Sequence, residues 1–206
     1  MYLSGIISSD GLMNQEAAKD NQCLFKDGRT YSYMLYDGEQ KIIVTQNDIR
    51  AIQLAKAALY AGARLLMDKL DIKKIDKIRF AGAFGSHIDV KYAMVLGLIP
   101  DCELDEVSSA GNAASTGARM ALLDTKSRRE IEKQVRKIEK IETATEPLFQ
   151  EYFVGAMSIP HESDPFDELA KVVKLPKKKK VRQQKKEDEE KNLIYKSSRI
   201  KSQQSI

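Results

Sequence analysis

Two glycine turns, Ala81-Gly82-Ala83-Phe84-Gly85 and Gly111-Asn112-Ala113-Ala114, narrow the folds open to this chain more than any other stretch. Ile78 and Phe80 alternate with polar neighbours and run into Gly82, the pattern of a short strand ending in a tight turn. Past Val107, Gly111 and Asn112 open a segment in which Ala113, Gly117 and Ala121 recur every fourth residue, as do Ala114 and Ala118. The spacing predicts a helix with a nearly bare face, able to press on a sheet or a ligand, and Asn112 is its expected N-cap. Two strand-glycine-helix units in succession predict an α/β fold in which amide groups and helix N-termini converge, as they do where nucleotides bind. The motif is not diagnostic on its own. Gly-Ala-Phe-Gly is not the three-glycine dinucleotide fingerprint, and no Gly-rich loop ends in Lys-Ser or Lys-Thr. On spacing alone, the glycines are read as permitting strand-helix turns and close packing.

The flanking segments supply a frame for these turns. Residues 1–46 read as a loop followed by a small antiparallel meander, with strands at Leu24-Phe25, Tyr31 to Tyr36 and Lys41 to Val44. Thr45 or Asn47 then caps a helix reaching about Leu70, whose apolar stripe is read as Ile49, Ile52, Ala55, Leu59, Ala63, Leu66 and Leu70. Lys56, Arg50 and Arg64 are assigned to its solvated side. A short helix from Val90 to Leu96 is stopped by Gly97 and Pro100. Ser127 to Ile141 is a further helix, with Ser127 and Glu130 as a capping box and Ile131, Val135 and Ile138 facing inward. Phe149, Phe153 and Met157 form a docking stripe. Neither His87 nor His161 has a partner at metal or relay spacing, and no carboxylate pair or nucleophile elbow emerges. No catalytic or metal-binding residue is assigned.

The 206 residues contain 34 Lys and Arg against 30 Asp and Glu, but the two ends differ in sign. From Lys171 onward there are 13 basic and 4 acidic residues, so residues 1–170 are mildly acidic and the tail strongly basic. The expected organisation is a domain over 1–160, a proline-punctuated linker over 161–176 and a disordered charged tail over 177–206. The lysine run in that tail superficially resembles a nuclear import signal. No aromatic residues interleave the charge, so nucleic-acid binding is not expected. Cys23 and Cys102 stand alone and read as two buried thiols, which offers neither an iron-sulfur nor a zinc site of ordinary spacing. Without a signal sequence or a membrane-length apolar run, a cytoplasmic setting is expected.

Thr45 to Arg50, Gln53 to Ala58, Ala81 to Gly85, Gly97 to Pro100, and Gly111 to Ala114 with Gly117-Ala118 follow one another in an order and spacing that is informative as a set. From about Gly5 to Pro160 the chain resembles the C-terminal ATPase domain of reductive activators of corrinoid proteins. Its opening and its lysine-rich continuation look most like the activases of methylamine methyltransferases in methanogenesis. The resemblance implies the second lobe of an actin-like ATPase of the acetate and sugar kinase, heat-shock chaperone and actin superfamily, with a mixed sheet and flanking helices. It implies that ATP with magnesium drives the return of cob(II)alamin on a methyltransferase corrinoid protein to cob(I)alamin. It also implies that Gly82, Ala83, Phe84 and Gly85 form the adenosine-side turn, with Gly111 and Asn112 heading the neighbouring helix.

Two parts of that machinery are not apparent in the chain. No Asp-x-Gly-Thr-type hairpin is present to hold phosphates and magnesium, and an iron-sulfur cluster is expected only in another domain or partner. The chain is therefore expected to be a partial second lobe that works with a separate N-terminal lobe or with a second copy of itself. The competing expectation is a non-catalytic interaction or scaffold module that retains the half-fold.

Overall fold

The computed structural model describes residues 1–82, 85 and 87–176. The basic tail beyond Pro176, with its lysine run, lies outside the described residues, as do Ala83 and Phe84. The first ordered sheet is the expected meander: β1 (Leu24–Asp27), β2 (Thr30–Tyr36) and β3 (Ile42–Val44) pair antiparallel in the order β1-β2-β3. Leu24 lies opposite Tyr33, and Tyr33 opposite Val44. Ser32 is fully buried and donates to Asp27 Oδ2 at 2.8 Å, closing the first hairpin from within.

Helix α1 (Gln46–Lys69) begins where the sequence places it. Thr45 Oγ1 accepts from Asp48 N, and the Asp48 carboxylate accepts from Thr45 N, a reciprocal pair that satisfies two otherwise orphaned amides. The same hydrogen bonds hold the exposed Asp48 carboxyl below its usual range. The buried face of α1 is not the expected stripe. Ile49, Gln53, Lys56, Ala57, Tyr60, Ala61, Leu65 and Met67 point inward, whereas Ile52, Leu59, Leu66 and Leu70 stand in solvent. The helix is rotated because its inner face must supply hydrogen-bond donors to a loop that crosses it, a demand that hydrophobic periodicity does not register.

Strand β4 (Ile78–Ala81), helix α2 (Val90–Leu96) and strand β5 (Val107–Gly111) form a right-length crossover unit, with β4 and β5 parallel. Asp89 caps α2 through Tyr92 N at 3.0 Å, and Gly97 ends it in the left-handed conformation (φ 72°). Only glycine fits at that end: a Cβ on Gly97 would stand 1.9 Å from the Pro160 carbonyl oxygen. Ile78, Phe80 and Val107 join the single apolar cluster that Tyr2, Ile6, Tyr60, Met94, Ile99, Ile159 and Leu169 build.

Helices α3 (Ala113–Leu123) and α4 (Thr125–Val135) depart from expectation. Asn112 caps α3 as predicted, its Oδ1 accepting from Ser115 N at 3.1 Å. The Ala113-Gly117-Ala121 face is not packed into the core: no residue of α3 is buried, although Gly117 and Ala121 are half-buried. α4 is capped by Asp124 rather than by Ser127, and Asp124 accepts from the Lys126 and Ser127 amides and the Ser127 hydroxyl. The helix ends at Val135, short of the expected Ile141, and the expected inward residues Ile131, Val135 and Ile138 are exposed; among the described residues α4 packs chiefly on α3.

Helix α5 (Phe149–Gly155) docks on α1, with Phe149 and Phe153 rings 6.3 Å apart. The segment expected as a linker continues the core instead. Helix α6 (Asp167–Val172) lies against α2, with Leu169 fully buried and Phe166 and Val173 beside it in the apolar cluster. Both carboxylate oxygens of Asp101 accept from the first amides of α6, at 2.8 Å from Glu168 and 3.1 Å from Leu169. This long-range cap explains how so short a helix holds. Cys102 is buried as expected, but Cys23 is exposed. No helix among the described residues is long and apolar enough to cross a membrane.

Candidate functional site

The two glycine turns meet. At the C-terminal end of the parallel pair the register slips by one residue, so that Ala81 lies opposite Gly111. Gly82 N then donates to Gly111 O at 2.8 Å, fastening one turn to the other. Both glycines are in backbone conformations that side chains rarely adopt, with φ 111° at Gly82 and 62° at Gly111. No described atom lies within 4 Å of where a Cβ on either would stand, so among the described residues the space above both turns is open.

Gly85 has a different reason to be glycine. It is buried, and a Cβ there would meet Phe80 Cβ at 2.8 Å. Of the six expected site residues, the structure joins Gly82, Gly111 and Asn112 at one strand end and assigns Gly85 to packing, while Ala83 and Phe84 lie outside the described residues. The Asn112 carboxamide oxygen is committed to capping α3, and the Asn112 carbonyl accepts from Thr116 N. Gly82 and Gly111 therefore offer backbone rather than side chain, as befits close approach to a ligand. His87 is exposed. Among the described residues, no three His, Cys, Asp or Glu side chains are grouped to hold a metal ion.

Sequence reasoning missed a second constellation, on the inner face of α1. Lys56 is only 1% exposed and donates to the Ser158 and Pro160 carbonyls, the latter at 2.8 Å. One helical turn before it, Gln53 Nε2 donates to Asp10 O at 3.0 Å and Met157 O at 2.8 Å. Gly11 must lack a side chain because Gln53 lies 2.4 Å from where its Cβ would be. One turn after Lys56, the Tyr60 ring stacks on His161 at 4.8 Å, and its hydroxyl donates to Asp164 Oδ2 at 2.8 Å. His161 Nδ1 accepts from Asp164 N at 2.9 Å, so its proton resides on Nε2 in the neutral ring. His161 is 4% exposed and so is a core residue.

Burial pushes the Lys56 amine down to about 7, since no carboxylate compensates the charged form there. Burial and the Asp164 carboxylate push the Tyr60 hydroxyl well above its ordinary range. Gln53, Lys56 and Tyr60 thus pin the 157–164 segment to α1 by the carbonyls and side chains it would otherwise leave unpaired. The signal for this was their shared face with Ile49 at spacings of three and four, which a purely apolar search discards.

Comparison with known proteins agrees with this architecture. Residues 1–170 match the family described as the C-terminal domain of RACo, the ASKHA domain, a span that includes most of α6. A relative from Eubacterium limosum, the corrinoid activation enzyme RamQ, is 44% identical over 115 residues, covering 55% of this chain and 19% of its own length. A solved structure, the reductive activator for corrinoid, iron-sulfur protein, superposes with a TM-score of 0.66 at 32% identity, covering 77% of this chain and 26% of its own. The chain thus spans about a fifth of the one relative and about a quarter of the other. Taken with the parallel strand pair and its joined glycine turns, the match over residues 1–170 shows that the chain belongs to the family of RACo C-terminal ASKHA domains.

Proposed function

We propose that this chain is the adenosine-side lobe of an ATP-dependent activase that returns an oxidised corrinoid protein to its active state. The observation that carries the reading is the Gly82 N to Gly111 O hydrogen bond, which gathers two open glycine turns at the carboxyl end of a parallel strand pair. Ligands of open α/β sheets bind at such ends. A side-chain Cβ at either position would enter the open space, so the turns suit the close approach of a nucleoside. Their backbone amides and carbonyls would orient the adenosine.

ATP, when bound with magnesium, supplies the free energy for an uphill one-electron reduction, in which cob(II)alamin gains an electron and becomes cob(I)alamin. Phosphates and magnesium would be held from a complementary lobe, since no acidic hairpin is present here. The electron would come from an iron-sulfur cluster of another domain or partner. The substrate would be the corrinoid protein of a methyltransferase system, as in methylamine metabolism, and the setting cytoplasmic. The printed names of the two relatives, a corrinoid activation enzyme and a reductive activator, support this choice.

The test is calorimetric titration with magnesium-ATP of the chain reconstituted with the complementary part of an activator, comparing wild type with Gly82→Ala and Gly111→Ala. Both variants should bind at least about tenfold more weakly at unchanged circular dichroism, because the new methyl group strains the turn and occupies the ligand's space. Unchanged affinity in the folded variants would remove the turns from the site. Gly85→Ala is the wrong probe, because its collision with Phe80 would disturb the strand.

A further inference from the structure

Residues 157–161 cross the buried face of α1 as a strap. Met157 O accepts from Gln53 Nε2 at 2.8 Å, and the Ser158 and Pro160 carbonyls both accept from Lys56 Nζ. Ile159 N donates to Ser9 O at 2.7 Å, which ties the strap to the N-terminal loop as well. The Pro160 carbonyl also sits against Gly97 at the end of α2, the crossover helix between the two glycine turns. One strap thus joins the N-terminal loop, α1 and α2. Within it only Ile159 enters the apolar cluster as a buried residue, so hydrogen bonds carry much of its closure and it can lift without the rest of the core.

The count of donors and acceptors decides which form of Lys56 suits this place. An ammonium carries three N–H donors and a neutral amine two. Among the described residues Lys56 meets two acceptors, both carbonyls, and no charged group offsets its burial. The ionisable groups of the surrounding elements are engaged with one another. Asp10 in the N-terminal loop accepts from Ser8 Oγ and Leu12 N, and Tyr152 on α5 donates to Asp68. Tyr60 and Arg64 on α1 both reach Asp164, while His161 on the strap stacks on Tyr60 and accepts from Asp164 N. Lys56 is 1% exposed, so water reaches its amine only when the strap lifts.

We infer that the strap is a proton-coupled latch: closed, it holds Lys56 as a neutral amine on two carbonyls, and lifting it releases Lys56 to water, where the amine takes up one proton. Closing returns that proton to solvent and restores both hydrogen bonds, so the latch tightens as pH rises. The coupling operates between about 7, where burial sets the amine, and its ordinary 10.5. Within that window each pH unit changes the ratio of open to closed strap by up to about tenfold. The latch does not rest on the nucleotide reading.

The experiment reads amide hydrogen exchange of the 206-residue chain at pH 7.5 and pH 9, corrected for the intrinsic exchange rate of each amide. The strap is followed at Ile159 and Glu162, and the body of α1 at Ala57 and Ala61. Protection of Ile159 and Glu162 should rise at least about tenfold from pH 7.5 to pH 9. It should also stay at least about tenfold below that of Ala57 and Ala61, the mark of local opening. Lys56→Met, which cannot titrate, should abolish the rise at unchanged circular dichroism; the wild-type profile decides the matter even where that variant fails to fold. Strap protection that is independent of pH in wild type, or a rise that persists in folded Lys56→Met, would overturn the latch. Exchange of the strap amides only at the rate of the α1 amides would overturn it too, since the strap would then open only with the whole fold.

Discussion

Replacing Lys56 by Met should alter how stability responds to pH. In the unfolded chain the amine titrates at its ordinary value of 10.5, and burial brings it to about 7 in the fold. Between those values the unfolded state holds a proton that the native state has released, so the contribution of Lys56 to stability rises with pH across that window. Below it both states are protonated, and the native state bears the full cost of a buried ammonium whose acceptors are two carbonyls. Each unit is worth about 1.4 kcal/mol, so the window spans on the order of 5 kcal/mol, and the step from pH 7 to pH 9 about 2 to 3 kcal/mol. Met preserves the packing of the stem and abolishes the titration. It also strips the Ser158 and Pro160 carbonyls of their donor, at about 1–3 kcal/mol.

The assay is urea unfolding of both proteins, followed by circular dichroism at pH 6.5, 7.5, 8.5 and 9. Titrations of other groups cancel in the difference between the two proteins. The disadvantage of the Met variant should be smallest at pH 6.5 and should grow by about 2 kcal/mol by pH 9. A difference that stays constant over this range would show that the amine does not titrate in the buried position, and the account of Lys56 would fail.

Leu169→Ala should cost about 2–5 kcal/mol in chemical denaturation, because a fully buried side chain is removed from α6; a loss under about 0.5 kcal/mol would restore residues 161–176 to linker status. Conversely, Leu59→Gln and Leu66→Gln should each stay within about 0.5 kcal/mol of wild type, and a larger loss would put the exposed stripe of α1 back in the core. Gly97→Ala should lower the thermal midpoint by about 6 °C or more, since its methyl group meets the Pro160 carbonyl and its backbone is left-handed; a wild-type midpoint would deny that close approach. Thr45→Ala should cost about 1 kcal/mol through loss of the capping box, measurable by the same denaturation; no loss would mean that Asp48 or water replaces it.

The residues that announce elements locally were legible. Thr45, Gly97 and Asn112 mark helix ends because capping and left-handed termination depend on a few neighbouring atoms. Alternation and turn residues likewise marked the β1–β3 meander and the strand before Gly82. Which face of each helix turns inward was less legible. α1 offers two stripes at helical spacing, and the more apolar one lies outside because the other carries Gln53, Lys56 and Tyr60, which the 157–164 carbonyls and Asp164 require. Ile131, Val135 and Ile138 read as core because periodicity records amphipathicity without saying what covers it.

The glycine positions, the Thr45 and Asn112 caps and the order of elements from β1 to α5 followed from the sequence alone, because each is a consequence of backbone sterics within a few residues. Only the tertiary structure decided that Gly82 bonds to Gly111 while Gly85 serves packing, that Lys56 and His161 are core residues, and that α6 belongs to the domain. Apart from the local Gly85–Phe80 approach, those outcomes depend on atoms roughly 30 to 100 residues apart, and on unpaired carbonyls whose need for donors appears only once the chain has folded against itself.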